Sequence, residues 1–248
     1  MKMKKLAVFL SLALLLALFA ACGTAAVSSS PTAETSPEPS SEAAAPTPTP
    51  LPAGEPDINN EFGVDKNINI ETIDNWLNRD DVVYRDMRML FDPAQFADIG
   101  GEADLTRTIE GFKIVPYPYI ATLPPIPVGN AYSGECLFRL TWNEDGTIAT
   151  ADPNYEESMM ILEELFPKDK AIFLMCGGGG YAGMTRALLI FLGWDASKLY
   201  NIGGNWGYKG THSLELVVSP EDAAGNSIYA TWRADYAYLD FSRLHPIS

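Results

Sequence analysis

Cys176 stands where a nucleophile would. It ends the apolar run Ile172-Phe173-Leu174-Met175, and four consecutive glycines, Gly177 to Gly180, follow it before the apolar helical run Met184 to Leu192. Glycine lets a backbone curl tightly and approach a ligand with no Cβ in the way. Curled N–H groups with a helix start behind them favour an anion. The anion that suits this place is the Cys176 thiolate, or a group carried on its sulfur. The competing reading is a strand-to-helix turn around an inert buried cysteine, but a merely structural turn rarely needs four glycines in succession. Gly177, Gly178, Gly179, Gly180, Tyr181 and Ala182 are therefore the candidate anion-binding loop. Asp86 and Arg88, at the end of the run Val82-Val83-Tyr84-Arg85, can pair and organise the floor of such a site; a purely structural ion pair explains them equally well. Arg186 is the nearest cation to the loop in sequence. Cysteine-based phosphate chemistry needs an arginine six positions after the nucleophile to clamp the anion bidentately. That position is Ala182, which argues against a phosphatase. His212 and His245 have no metal-ligand spacing and read as surface or loop residues; nothing calls for a metal or a cofactor.

A cysteine at a strand end needs a sheet to hold it. Val82 to Tyr84 reads as the first strong strand, Lys170 to Met175 as the central one that delivers Cys176, and Lys198 to Ile202 as a third. Glu156 to Phe166 reads as a helix with Met159, Leu162 and Leu165 on its apolar face and Pro167 as its stop. Asn69 to Leu77 reads as a short amphipathic helix, and Phe112 to Tyr119 as a strand that runs into the proline-rich stretch 123–127. Leu137 to Trp142 and Thr147 to Ala149 read as a hairpin around Asn143-Glu144-Asp145-Gly146. Strands alternating with helices imply an α/β domain with a mainly parallel sheet.

At three separated places this order resembles the rhodanese-like family. Its first strand typically ends in Asp-x-Arg, matched by Asp86 and Arg88. Its active loop starts with a cysteine at a strand end and runs about six residues into a helix, matched by Cys176 to Tyr181. Its last strand typically leads into Gly-Gly and a tryptophan, matched by Gly203, Gly204 and Trp206. The resemblance covers roughly residues 70–210. It implies a rhodanese-like three-layer domain, its mainly parallel central sheet flanked by helices, over residues 58–248, with an inserted segment near 123–154 and a C-terminal extension after 210. It also implies a sulfurtransferase that carries sulfane sulfur as a persulfide on Cys176, taking it from a small sulfur donor or a protein persulfide. The alternative is a catalytically silent binding or sensing module of the same fold. The chain departs from the family where a His-x-x-Gly-Ala element is usual: Thr108-Ile109-Glu110-Gly111-Phe112 keeps only the glycine. Its loop also lacks the basic residues that thiosulfate users place there.

The N-terminus indicates the compartment. Lys2, Lys4 and Lys5 precede an apolar run from Leu6 to Ala21, and Phe19-Ala20-Ala21-Cys22 resembles a bacterial lipobox with its leucine one position early, at Leu18. Residues 1–21 read as a lipoprotein signal peptide, with lipid on Cys22 anchoring the chain to the extracytoplasmic face of the cell membrane. Residues 22–57 read as a Ser/Thr/Pro-rich tether with too few large apolar side chains to order itself, able to reach on the order of 100 Å. Without the signal, 14 basic residues face 32 acidic ones, a formal charge of −18. Such a field disfavours nucleic acid and anionic substrates. With Cys22 lipidated, Cys136 and Cys176 are the remaining cysteines, enough for one bridge but not for a disulfide framework. Cys22→Ser is expected to leave the signal uncut or release the protein; cell fractionation checks this, and processed, membrane-bound Cys22→Ser would contradict it.

Overall fold

Strand β6 (Ala171–Cys176) has no exposed position. It lies between β1 (Val82–Asp86) and β7 (Leu199–Gly204), parallel to both, and β3 (Lys113–Ile114) extends the sheet beyond β1 in the order β3–β1–β6–β7. All four strands are parallel, so the chain is an α/β protein around a parallel central sheet. The computed structural model of the chain describes residues 49–88, 107–123, 134–216, 237 and 239–247. The signal, Cys22, the tether up to 48, the prolines at 124–127 and the aromatics at 229, 232, 236 and 238 lie outside the described residues.

Burial on both faces follows from what covers the sheet. Side chains alternate along a strand, so Ile172, Leu174 and Cys176 enter one apolar cluster while Ala171, Phe173 and Met175 enter another. The first cluster is closed by α2 (Ser158–Leu165) and α3 (Gly180–Phe191), through Leu162, Leu165, Leu188 and Leu189. Helix α3 is also the crossover from β6 to β7 that a parallel pair requires. The second cluster gathers Ile68, Ile73, Tyr84, Phe112, Tyr200 and Ile202.

Among the described residues no α-helix covers that second face, so the expected flanking by helices holds on one side. The helix expected over Asn69 to Leu77 is a single 3-10 turn, Ile73–Trp76. Local side chains capture the backbone that an α-helix would use. Asp65 Oδ1 accepts from the amides of Asn67 and Ile68, Asn69 Oδ1 from Glu71, and Thr72 Oγ1 from Asn69. The strand expected over Phe112 to Tyr119 stops at Ile114, and α1 (Tyr117–Ile120) replaces its second half. Proline has no N–H and a fixed φ, which suit the first turn of a helix better than a strand; Pro116 is the N-cap of α1 and Pro118 lies in its first turn.

The expected hairpin is present as β4 (Phe138–Trp142) and β5 (Ile148–Pro153), antiparallel, with Phe138 and Leu140 turned into the core. A small antiparallel pair, β2 (Arg107–Ile109) with β8 (Ser213–Glu215), sits apart from the main sheet. At the C-terminus, Phe241 packs on Tyr119 and Tyr155 at centroid distances of 5.8 and 5.6 Å. No helix among the described residues is long and apolar enough to cross a membrane.

The end of the tether belongs to the domain: residues 49–248 form one unit, which moves the expected boundary at 58 back to 49. Gly54 N–H donates to Ser197 O at 2.8 Å, Tyr200 Oη to Pro52 O at 2.6 Å, and Asp65 Oδ2 accepts from Glu55 N–H at 2.5 Å. Asp65, 2% exposed, therefore holds three backbone donors. Asp65→Ala is expected to lower the unfolding free energy by about 3 kcal/mol through the amides left unpaired, and to open residues 49–57 to proteolysis. Urea titration and limited digestion check both.

Candidate functional site

Cys176 sits at the C-terminal end of β6, where open α/β sheets place their ligands, and is 4% exposed. Its Sγ accepts the N–H of Gly179 at 3.0 Å, and the amides of Tyr181 and Ala182, in the first turn of α3, also act on it. This is the curled backbone that the glycine run implies. The four glycines are not equivalent. Gly179 has φ +103°, a conformation that L side chains rarely adopt. At Gly177 a Cβ would run into the ring of Trp206. At Gly180 a Cβ would meet Phe62 at an ordinary 3.6 Å.

The opposite wall is the end of β7. A Cβ on Gly204 would fall onto the carbonyl oxygen of Gly177, so the two backbones touch, and Trp206 N–H donates to that same oxygen at 3.2 Å. A bulge sets this up: Leu174 pairs with Asn201 but Met175 pairs with Gly203, so Ile202 is skipped. Asn201 fixes the arrangement from below. Fully buried, it donates from Nδ2 to Gly179 O at 3.1 Å and to Phe62 O at 2.8 Å, and accepts Gly203 N–H at 3.0 Å. Sequence reasoning passed over Asn201 and Phe62. The available signal was a lone amide in the apolar strand Leu199-Tyr200-Asn201-Ile202, since a buried amide must find partners.

Asp86 and Arg88 form a buried ion pair, Arg88 Nη2 to Asp86 Oδ2 at 2.6 Å and Nε to Oδ1 at 3.0 Å. Thr108 Oγ1 donates to Asp86 at 2.8 Å. The carbonyl of Arg107 accepts from Arg88 Nη2 at 2.8 Å and from Asn205 Nδ2 at 3.0 Å. The pair thus ties the end of β1 to β2 and to the turn after β7. Asp86 stands opposite Met175 in the sheet, one residue from the cysteine. Its role here is structural, with one electrostatic consequence at the sulfur. Arg186 does not serve the loop: its Nε and Nη2 donate to Leu199 O at 3.0 Å and Ala196 O at 3.3 Å, at the opposite end of β7.

Tyr181 stacks on Tyr117 with centroids 5.4 Å apart. Burial, with the sulfur of Cys176 as a lesser cause, pushes the Tyr181 hydroxyl up to about 12. Burial also raises the Cys176 thiol; the amides of Ala182, Gly179 and Tyr181 pull it down, and Asp86 pushes it up again. The net direction is upward, against the depressed value that an amide nest alone suggests. Cys136 is a second free, buried thiol, its Sγ 3.3 Å from Phe138 O, and it forms no bridge with Cys176. Among the described residues no cluster of His, Cys, Asp and Glu could hold a metal ion.

Comparison with protein-family models, with curated proteins and with solved structures finds no match.

A raised thiol pKa means that the neutral form dominates below it, so the thiolate fraction grows about tenfold per pH unit until that value is passed. Alkylation of Cys176 by iodoacetamide is expected to climb steadily from neutral into alkaline pH. A plateau reached at or below pH 7 would contradict this direction.

Proposed function

We propose that the chain is a rhodanese-like sulfurtransferase held by lipid on Cys22 at the outer face of the membrane, and that it carries sulfane sulfur on Cys176. The observation that carries this reading is Sγ at the end of a parallel strand, with the N–H groups of Gly179, Tyr181 and Ala182 directed at it. The order of Asp86-x-Arg88, the cysteine loop and Gly203-Gly204 along three adjacent strands supports it.

The chemistry is redox-neutral. The Cys176 thiolate attacks the outer, sulfane sulfur of a donor R–S–SH. The donor S–S bond breaks, RS⁻ leaves with the electron pair, and Cys176–S–SH remains. Loss of its proton puts negative charge on the outer sulfur, which the loop amides stabilise. An acceptor thiolate then takes that sulfur and restores the Cys176 thiolate. Because burial raises the Cys176 thiol, the first step needs a proton removed, and among the described residues no side chain hydrogen-bonds Sγ to take it. That fact favours the second reading, a binding or sensing module without turnover.

The donor follows from charge. Arg88 is committed to Asp86, and Arg186 lies toward the far end of β7, away from the loop. A dianion meets the Asp86 carboxylate below and a strongly acidic chain around it. An organic or protein persulfide is therefore a better donor than thiosulfate. On the full chain carrying Cys22→Ser, kcat/KM is expected to favour an organic persulfide over thiosulfate, and Cys176→Ser to abolish turnover of both. Superior thiosulfate turnover would overturn the donor assignment. No turnover with either donor, together with unmodified Cys176 by intact mass, would leave the binding module.

A further inference from the structure

Helix α3 carries apolar residues on two faces. Ala182, Thr185, Leu188 and Leu189 are buried in the core. Met184, Ala187 and Phe191 follow the spacing of a second stripe; Met184 packs partly on the core, while Ala187 and Phe191 are exposed where a surface helix is ordinarily polar. This stripe lines a groove of about 490 Å³ together with Phe62 and with Trp142 and Ile148 of the hairpin. Its size falls in the range of about 300–1,000 Å³ usual for small-ligand sites. Phe62 and Phe191 remain 41% and 46% exposed at its rim. Contiguous apolar surface of this kind marks an interaction site when polar groups bound it.

The polar group is Arg186, which also lines the groove. Its Nε and one Nη2 hydrogen go to the carbonyls of Leu199 and Ala196, which carry no charge. It makes no ion pair among the described residues. Asp65 lies near enough to favour the cation, but its two oxygens are held by the amides of Glu55, Asn67 and Ile68. The remaining guanidinium donors are left for a ligand. A half-buried arginine beside an apolar groove suits a small anion with an apolar body: the tail removes surface from water and the head gains charge-assisted hydrogen bonds that offset the repulsion of an acidic chain.

We propose that the groove between α3, Phe62 and the β4–β5 hairpin binds a medium-chain amphiphile with one anionic head, a carboxylate, set against Arg186. The proposal does not depend on sulfur transfer, since occupancy is read directly and Cys176 is not involved.

Calorimetric titration of the mature chain carrying Cys22→Ser, without residues 1–21 and with no acyl group to compete, provides the test. The probes are decanoate, decanol and decylammonium, identical in tail and different in head. Decanoate is expected to saturate a single site about tenfold more tightly than decanol, as one charge-assisted contact allows, with decylammonium weakest. Arg186→Met should bring decanoate to the level of decanol. Ala187→Trp adds a ring to the exposed groove floor, away from the arginine's hydrogen bonds, and should abolish binding of all three while far-ultraviolet circular dichroism and the thermal unfolding midpoint stay unchanged. The proposal is overturned if decanoate shows no saturable binding, if decanoate and decanol bind equally, if decylammonium binds best, or if decanoate binding survives Ala187→Trp in a folded protein.

Discussion

Between the ends of β6 and β7 the two backbones come so close that Gly204 has no room for a Cβ, and the Trp206 ring leaves none at Gly177. The geometry of the cysteine loop depends on that approach. It exists because the bulge at Ile202 advances β7 by one residue relative to β6, bringing Gly203 and Gly204 opposite Met175 and Cys176. Asn201, just before the bulge, then reaches the carbonyl of Gly179 and closes the loop from beneath. Trp206 closes it from above, its ring on Gly177 and its amide on the carbonyl of that residue. A loop clamped in this way cannot reorganise around each ligand. Its N–H groups are already directed at the sulfur, which is the condition under which backbone dipoles stabilise charge without first having to be oriented.

The clamp has an electrostatic consequence. Enclosing Cys176 to 4% exposure costs the thiolate its hydration, and Asp86 beneath adds a like charge. The amides offset part of this and do not reverse it. In the proposed function the charge of a persulfide would sit one bond beyond Sγ rather than on the buried sulfur itself.

Much of this was legible in the sequence, and the limits have physical causes. The strand carrying Cys176, the glycine loop, the hairpin and α2 follow from strong local patterns: an unbroken apolar run, a glycine cluster, an Asn-Glu-Asp-Gly turn and a proline stop. Asp86 and Arg88 were legible as a pair, but their weight as a structural tie needed Thr108 and the carbonyl of Arg107, contributed by a strand some twenty residues on. The stretch 69–77 has helical spacing, yet Asp65, Asn69 and Thr72 divert its amides into turns. Such competition depends on side-chain geometry that periodicity does not record. Residues 49–57 read as tether by composition. Their order comes from what they dock on, Ser197, Tyr200 and Asp65, which are distant in sequence.

Arg186 shows how proximity in sequence differs from proximity in a fold. It is the first cation after the cysteine, yet six residues into α3 from Gly180 it has risen about 9 Å along the axis and turned to a different side. The first turn of the helix faces the sulfur, the stripe through Leu188 and Leu189 faces the core, and Arg186 is left to the flank beside β7. For a cation on this helix to serve the cysteine it would have to lie in the first turn, where Gly180, Tyr181 and Ala182 stand instead. Among the described residues the loop therefore offers an anion N–H dipoles and no cation, while the cation-bearing residue of the helix lines a separate apolar groove. Dipoles suit a diffuse charge held by a covalent bond, and a full positive charge suits a ligand that must be drawn from solution against an acidic surface.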